Sequence, residues 1–183
     1  MITSFKKLQK NLGKNLKPGV VVGLDLASVT GICIITAKNK DIEIVFDIFK
    51  LPKIENPKEN IPVILESLVY FVKELEKKIK DLKGKPKILV IEKCYMGKNA
   101  HTALVLSAFS GVVFSLLYTY FDEIYFIHPM TSRSVIGLTI APKLTRKERK
   151  DKVIEFVNNV IEDKLTSDDL ADAFVYAING LIK

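Results

Sequence analysis

The chain has 183 residues, 48% of them hydrophobic and 27% charged, which is typical of a soluble single-domain protein with a sizeable core. Its formal net charge of +7 at pH 7 is unusual and favours a polyanionic partner: DNA, RNA or an anionic membrane surface. Cys33 and Cys94 stand in apolar, strand-like runs with no metal-ligand partner at close spacing. This argues against a cysteine metal site and indicates reduced core residues of a cytosolic protein.

Neither an export signal nor a membrane span is predicted. The basic start of the chain is followed by a strand-length apolar run, not by a secretory core with a cleavage site. The longest apolar stretch, 103–121, contains serines, a glycine and two tyrosines and lies between Lys98 and Asp122. It is therefore too mixed for a bilayer span. The expected location is the cytoplasm or the nucleoid, with no membrane partner.

The first part of the chain predicts a basic arm followed by an antiparallel meander. Residues 1–18 are polar and lysine-rich, and their apolar residues form no periodic face long enough to predict a stable helix. Short breaks separate the next three apolar or alternating runs, which indicates consecutive antiparallel strands. These predicted strands are 20–26, 31–37 and 42–49.

The rest of the chain predicts helices that alternate with strands. Two further strands are expected at 88–91 and 124–127. Helices are predicted at 61–82, 99–121, 131–136, 145–161 and 168–181. This order describes one α/β domain over 19–183, with a five-stranded mixed sheet, its first three strands antiparallel, and helices on both faces.

Four carboxylates stand where an acid is costly or clustered. Asp25 and Glu92 each lie near the end of an apolar strand, where a carboxylate needs a partner or a metal ion. Asp169 and Asp172 share one face at the start of the last helix, whose positive dipole end tolerates acids. Such acids can also be loop-facing, capping or first-turn residues. Their combination favours a two-metal nuclease, in which three or four carboxylates bind Mg²⁺ or Mn²⁺.

The sequence around these acids carries a family resemblance in three stretches. They read Val22-Gly23-Leu24-Asp25 with Thr30-Gly31, Ile91-Glu92-Lys93-Cys94-Tyr95-Met96-Gly97-Lys98-Asn99-Ala100, and Asp169-Leu170-Ala171-Asp172-Ala173. Together they resemble the RuvC family of Holliday junction resolvases, within the RNase H-like superfamily, over about residues 20–181. The first motif departs from the family's Asp-Pro-Gly and is similar to trimmed forms in viral or archaeal members, so a host-cell cytoplasm is the expected location if the chain is viral.

The resemblance implies an RNase H-like fold and an endonuclease that cuts four-way DNA junctions by paired symmetric nicks in recombination and repair. It implies Asp25, Glu92, Asp169 and Asp172 as ligands of two Mg²⁺ or Mn²⁺ ions that assist phosphodiester hydrolysis. Lys143 matches one family lysine and is implied as a further catalytic residue that contacts a phosphate near the scissile bond.

Further DNA contacts are expected around these residues. Where the family has another lysine, this chain has Ser132 and Arg133. The resemblance implies that Arg133 contacts a phosphate there. Tyr95 and Lys98 follow Glu92; the family has an aromatic residue near the junction centre, although Tyr95 can also be read as a core cap. A basic cluster is expected to position phosphates without reading bases, its alternative being a solvated helix face. The cluster is Lys143, Arg146, Lys147, Arg149, Lys150 and Lys152.

The assembly and the substrate are the points with open alternatives. The helix predicted at 99–121 is apolar almost all round, and in the family it packs against its two-fold mate. A homodimer is therefore expected, although burial within one chain explains the same pattern. The alternatives for function are an RNase H-fold nuclease that acts on flaps, replication intermediates or structured RNA, and a non-catalytic junction-binding module. An actin-like ATPase has a similar first motif, but the chain is too short for its two lobes.

Overall fold

A computed structural model describes residues 1–38, 40–52, 61–84, 86–94, 100–141 and 143–182. Its centre is one mixed sheet of six strands in the order β1-β4-β3-β2-β5-β6. The strands are β1 Ile2–Ser4, β2 Gly19–Asp25, β3 Val29–Ala37, β4 Asp41–Lys50, β5 Lys87–Glu92 and β6 Glu123–Ile127. Strands β2, β3 and β4 form the predicted antiparallel meander, while β5 runs parallel to β2 and β6 parallel to β5.

Among the described residues, six α-helices surround the sheet, and all except the first lie close to the predicted positions. They are α1 Phe5–Leu12, α2 Ile61–Lys80, α3 Ala100–Leu117, α4 Pro129–Val135, α5 Arg146–Ile161 and α6 Asp168–Asn179. The helix predicted at 99–121 ends earlier, because a short 3₁₀ turn, Tyr118–Tyr120, follows α3. Among the helices that the structure describes, none combines the length and hydropathy that crossing a bilayer requires.

The sheet has a separate hydrophobic core on each face, as expected for helices on both sides. Val22, Leu24 and Ile91 point to one face, where they pack with buried residues of α2 and α3 such as Phe71 and Val113. The alternate residues of the same strands point to the other face, where α1, α5 and α6 cover them. The alternation follows from the period of two in a β-strand.

The expectation that residues 1–18 contain no stable helix is wrong. Three apolar side chains of α1, Phe5, Leu8 and Leu12, are buried in the core that also contains α5 and α6. Strand β1 pairs antiparallel with β4, so the sheet has six strands and not the predicted five. Phe5, Leu8 and Leu12 do follow helical spacing, but two turns of helix and a three-residue strand are too short to be stable alone, so tertiary packing decides whether they form.

Two glycines in the sheet allow α6 to lie unusually close to β2 and β3. A Cβ atom at Gly23 would lie 2.2 Å from the carbonyl oxygen of Ala173, and one at Gly31 would lie 2.0 Å from that of Asp169. No larger residue fits at either position without moving the helix or the strand. The close approach brings the start of α6, with its acids, to the ends of the central strands.

Candidate active site

Asp25 and Glu92 lie side by side at one edge of the sheet. They are the last residues of β2 and β5, which are parallel, and the pairing of Leu24 with Ile91 makes them neighbours in register. The carboxyl group of Asp25 is within hydrogen-bonding reach of Glu92. The parallel pairing thus brings together two acids that are 67 residues apart in the sequence.

Helix α6 contributes the other two predicted acids to the same place. Ser167 caps the helix by accepting a hydrogen bond from the backbone N–H of Leu170, and the contact at Gly31 fixes the backbone of Asp169 beside β3. Because Gly31 pairs with Asp25 in the sheet, this contact brings α6 to Asp25. Asp172 follows Asp169 by three residues and shares its helix face.

The pKa of Asp25 shows that the other three carboxylates act on it. Burial raises the pKa of Asp25 well above its ordinary value, and the hydrogen bond and negative charge of Glu92 raise it further. The charges of Asp172 and Asp169 act in the same direction. The predicted acids therefore converge, and their mutual repulsion calls for a cation.

One such cation is the guanidinium of Arg133, which the structure brings into the acidic cluster. Its Nη2 donates a hydrogen bond to Oδ1 of Asp172 at 2.8 Å. Burial acts to lower the pKa of Arg133, but the charge and hydrogen bond of Asp172, with the charges of Tyr176 and Glu92, outweigh it and raise that pKa. Burial raises the pKa of Asp172 despite the opposing effect of Arg133.

The local structure of α4 explains how Arg133 reaches the cluster. Helix α4 begins directly after β6, the strand parallel to β5, so it starts at the same edge of the sheet as the acids. His128 caps it: Nδ1 accepts a hydrogen bond from the backbone N–H of Met130. Asn179 of α6 donates from Nδ2 to the carbonyl oxygen of Ser132, which ties α4 to α6.

Two further side chains at the cluster were not singled out there from the sequence. Tyr176 is almost completely buried, and its pKa is raised well above the ordinary value by burial and by the charges of Glu92, Asp25 and Asp172. Its position four residues after Asp172, on the same helix face, is the signal that could have revealed it. Lys150, predicted as a DNA contact, forms an ion pair with Asp168 at the start of α6.

Of the other predicted DNA contacts, some are outside the described residues, and the rest form no hydrogen bond or ion pair with the four acids within the described part of the chain. Tyr95 and Lys98 are outside the described part of the chain. Lys143 is exposed before α5, and within the described residues no contact joins its side chain to an acid of the cluster, so its catalytic role stays a prediction. The start of α5 presents three exposed basic side chains, Arg146, Lys147 and Arg149. Nε of Arg149 donates a hydrogen bond to the carbonyl oxygen of Thr145.

The donor set of the cluster fits a divalent ion. Carboxylate oxygens are the ligands that Mg²⁺ and Mn²⁺ prefer, and clustered negative charge favours a doubly charged ion. Within the described ranges, no group of three or more His, Cys, Asp or Glu side chains is already arranged to hold a metal ion. The carboxylates present match the ligands that such an ion prefers, and in this structure Asp172 is paired with Arg133.

Comparison with known proteins bears on both fold and family. The structure is similar to Thermus thermophilus RuvC in complex with a Holliday junction substrate, with a TM-score of 0.64, 13% identity, and coverage of 87% of this chain and 90% of that one. It is also similar to a further Thermus thermophilus RuvC structure, with a TM-score of 0.62, 15% identity, and coverage of 90% and 98%. At these identities the likeness shows the fold, and the expected RNase H-like architecture is confirmed.

The family assignment rests on the sequence. No curated protein matches the chain significantly. A profile of the family described as crossover junction endodeoxyribonuclease RuvC matches residues 21–180. This range contains all four acids and nearly the whole sheet. Because the match covers most of the chain, the chain belongs to the RuvC family of crossover junction endodeoxyribonucleases, and it is an endonuclease.

Proposed function

We propose that this endonuclease cuts four-way DNA junctions by paired nicks at symmetric positions, in DNA recombination and repair. Asp25, Glu92, Asp169 and Asp172 would be the ligands of two divalent ions, Mg²⁺ or Mn²⁺. The observation that carries the proposal is the convergence of these carboxylates on one edge of the sheet, where the charges of the other three act on Asp25. Dependence on a divalent metal, a property of the RuvC family, supports it.

The two strand acids and the two helix acids would hold divalent ions at the bound phosphodiester. Divalent ions at the cluster would supply a water of lowered pKa and would stabilise the negative charge that develops on the phosphate. Asp25 and Glu92, on adjacent strands, form the rigid part of the cluster because the sheet fixes their backbones. Asp169 and Asp172 complete it from α6, whose position depends on the glycine contacts beneath it.

The substrate proposal rests on the family and on the charge around the cluster. The T. thermophilus protein of similar fold was solved with a Holliday junction substrate. In this chain, exposed Arg146, Lys147 and Arg149 lie at the start of α5, while Lys150 reaches α6. These side chains would contact backbone phosphates on either side of the cleavage position without reading bases. Contacts from Tyr95 and Lys98 remain part of the proposal.

A homodimer through α3 would present two such sites to one junction. Several large apolar side chains of α3 and its surroundings are exposed, among them Leu104 at 66% and Tyr118 at 58%. The ring of Phe114 contacts those of Tyr118 and Phe126, with centroids 6.4 Å and 6.0 Å apart. Exposed apolar side chains of this kind, with the rings of Phe114, Tyr118 and Phe126 in contact, are typical of an interface, and a two-fold axis there would account for symmetric cuts.

The first test is cleavage of a labelled immobile four-way junction, compared with a linear duplex of the same sequence, with Mg²⁺ and with EDTA. We expect paired symmetric nicks on the junction only, which require Mg²⁺. Asp169→Asn should abolish them, whereas Asp163→Asn, a substitution of an exposed acid in the loop before α6, should leave them intact.

The outcomes separate the parts of the proposal. Junction binding without cleavage under Mg²⁺ or Mn²⁺ would contradict the enzymatic role and favour a junction-binding module. Equal cleavage of junction and duplex would leave the nuclease in place and overturn the substrate. Full activity of Asp169→Asn would overturn the assignment of the carboxylates.

A further inference from the structure

The ion pair between Arg133 and Asp172 lies inside the candidate active site and not on the open surface. The two side chains are only 18% and 13% exposed, and their closest atoms are 2.8 Å apart. Surface ion pairs contribute little, but a pair shielded from water in this way is a substantial interaction whose loss leaves an uncompensated charge. Arg133 therefore neutralises part of the charge of the four carboxylates before any ion or DNA binds.

The backbone that carries Arg133 is held in place, so its side chain is the part that can move. Asn179 donates a hydrogen bond to the carbonyl oxygen of Ser132 at 3.0 Å. The buried hydroxyl of Ser132 donates to the carbonyl oxygen of Pro129. The carbonyl oxygen of Arg133 itself accepts from the N–H of Leu138. Rotation about side-chain bonds is then the available way for the guanidinium to leave Asp172.

A cleft beside Arg133 provides space for this rotation. It lies between α4 and α5 and has a volume of about 120 Å³. Arg133 and Arg149 are its two cationic lining residues, together with Met130, Leu138, Ile140 and Ala141. The Nε–H of Arg133 is buried and has no hydrogen-bond partner among the described residues. A guanidinium has five N–H donors, and this one has a donor free for a phosphate oxygen.

We propose that Arg133 is an exchangeable counter-ion: it competes with a divalent ion for Asp172, and a DNA phosphate receives its guanidinium when the ion binds. The proposal rests on the assignment of Asp172 as a metal ligand. A divalent ion lies about 2.0–2.6 Å from a ligating oxygen. A guanidinium nitrogen 2.8 Å from that oxygen would place two cations against each other, with strong repulsion in a site shielded from water.

This exchange couples the binding of metal to the binding of DNA. A divalent ion that binds Asp172 displaces the guanidinium, which can then bind the phosphate. A phosphate that binds the guanidinium draws it away from Asp172 and leaves this carboxylate free for the ion. Such coupling is reciprocal, because each ligand must change the affinity of the other by the same factor. It would keep ion affinity low in the free enzyme and assemble the complete site only on DNA.

The test is Mn²⁺ binding to the DNA-free protein, measured by electron paramagnetic resonance, in the wild type and in Arg133→Met. We expect the variant to bind Mn²⁺ about tenfold more tightly, within the usual 5–150-fold range of coupling. Arg133→Lys, which keeps the charge, should stay near the wild type. The matched control is Lys7→Met, which removes the cation of the ion pair with Glu162 on the surface.

The affinity of the junction, measured in Ca²⁺ and in EDTA, provides the second half of the test. Ca²⁺ should strengthen junction binding by the wild type more than by Arg133→Met, because the variant has no guanidinium to transfer. Equal effects on the two proteins would overturn the exchange.

Asp169→Asn separates this inference from the function on which it rests. If Asp169→Asn loses Mn²⁺ while Arg133→Met binds it as the wild type does, the counter-ion role is wrong and the metal site stands. If Asp169→Asn binds Mn²⁺ unchanged, the metal site is wrong and the inference fails with it.

A measurement on the unsubstituted side chain covers the case in which Arg133→Met does not fold. The Nε–H signal of Arg133 in a nitrogen-15 spectrum, assigned by its loss in Arg133→Lys, should shift when Mg²⁺ is added to the wild type. A signal that does not respond to saturating Mg²⁺ would overturn the exchange.

Discussion

At the scale of single residues, the candidate site is a set of unfavourable charges held together by the backbone. Asp25 illustrates this: burial and three other carboxylates raise its pKa, so its charged form is less favourable in the folded chain than in the unfolded one. Function and stability therefore oppose each other at this position, as is common at active sites.

Replacing Asp25 by Asn should abolish cleavage and stabilise the metal-free protein. Since the amide removes an unfavourable charge without changing the shape, we expect the free energy of unfolding at pH 7 to rise by about 1 kcal/mol. Urea denaturation in EDTA measures this. Asp163→Asn is the control, and an exposed substitution of this kind should change the free energy of unfolding by less than about 0.5 kcal/mol. A destabilised Asp25→Asn would contradict the repulsion described for the cluster.

Gly31 is the residue whose size decides where the start of α6 lies. A methyl group there would lie 2.0 Å from the carbonyl oxygen of Asp169, a backbone atom that cannot turn aside. Gly31→Ala should therefore displace Asp169 and lower cleavage at least tenfold, since a misplacement of about 1 Å is costly in catalysis. The control is Lys10→Ala, at an exposed position of α1 outside both the acidic cluster and the proposed interface. Comparable activity of the two variants would show that α6 tolerates the shift.

At the scale of secondary structure elements, α1 is an integral part of the fold. Leu8 is 1% exposed and lies in the same core as α5 and α6, while Asn11 donates to the carbonyl oxygen of Val160. The helix is outside residues 21–180, which match the family profile. Through its contact with α5, which packs against α6, it supports the helix that carries Asp169 and Asp172.

Leu8→Ala should destabilise the protein by about 2–5 kcal/mol, the usual cost of truncating a fully buried leucine. Thermal and urea unfolding measure the loss. Lys10→Ala, on the exposed side of the same helix, should be nearly neutral and is the control. If both variants unfold like the wild type, the N-terminal helix contributes no stability to the core.

At the scale of the whole molecule, the proposed dimer decides whether two cuts are coordinated. Leu104 of α3 is exposed in the single chain and lies on the proposed interface. Leu104→Glu should yield a monomer at micromolar concentration, because a carboxylate would be buried in an apolar interface. Sedimentation should show the monomer, and junction cleavage should change from paired cuts to single nicks. Leu65→Glu, at an exposed position of α2, is the matched control. A monomeric wild type would contradict the dimer.

The order of strands and helices and the four acids could be predicted from the sequence, because both are recorded locally. Short apolar, β-branched or alternating runs indicate β2 to β6, and helical spacing, caps and breaker residues indicate α2 to α6. Asp25 and Glu92 are conspicuous because each stands in an apolar strand, and the motifs around them carry the family resemblance. No long-range contact is needed to recognise any of these features.

The tertiary structure decided the features that depend on contacts between distant residues. The ion pair of Arg133 with Asp172 joins positions 39 residues apart, and Tyr176 reaches the acids only because α6 lies close to the sheet. Strand β1 depends on its pairing with β4, and helix α1 depends on its contacts with α5. The ion pair, the position of Tyr176 and the pairing of β1 carry no periodic signal, because their energy comes from packing and electrostatics across the fold; the helical spacing of Phe5, Leu8 and Leu12 is present but too short to predict α1.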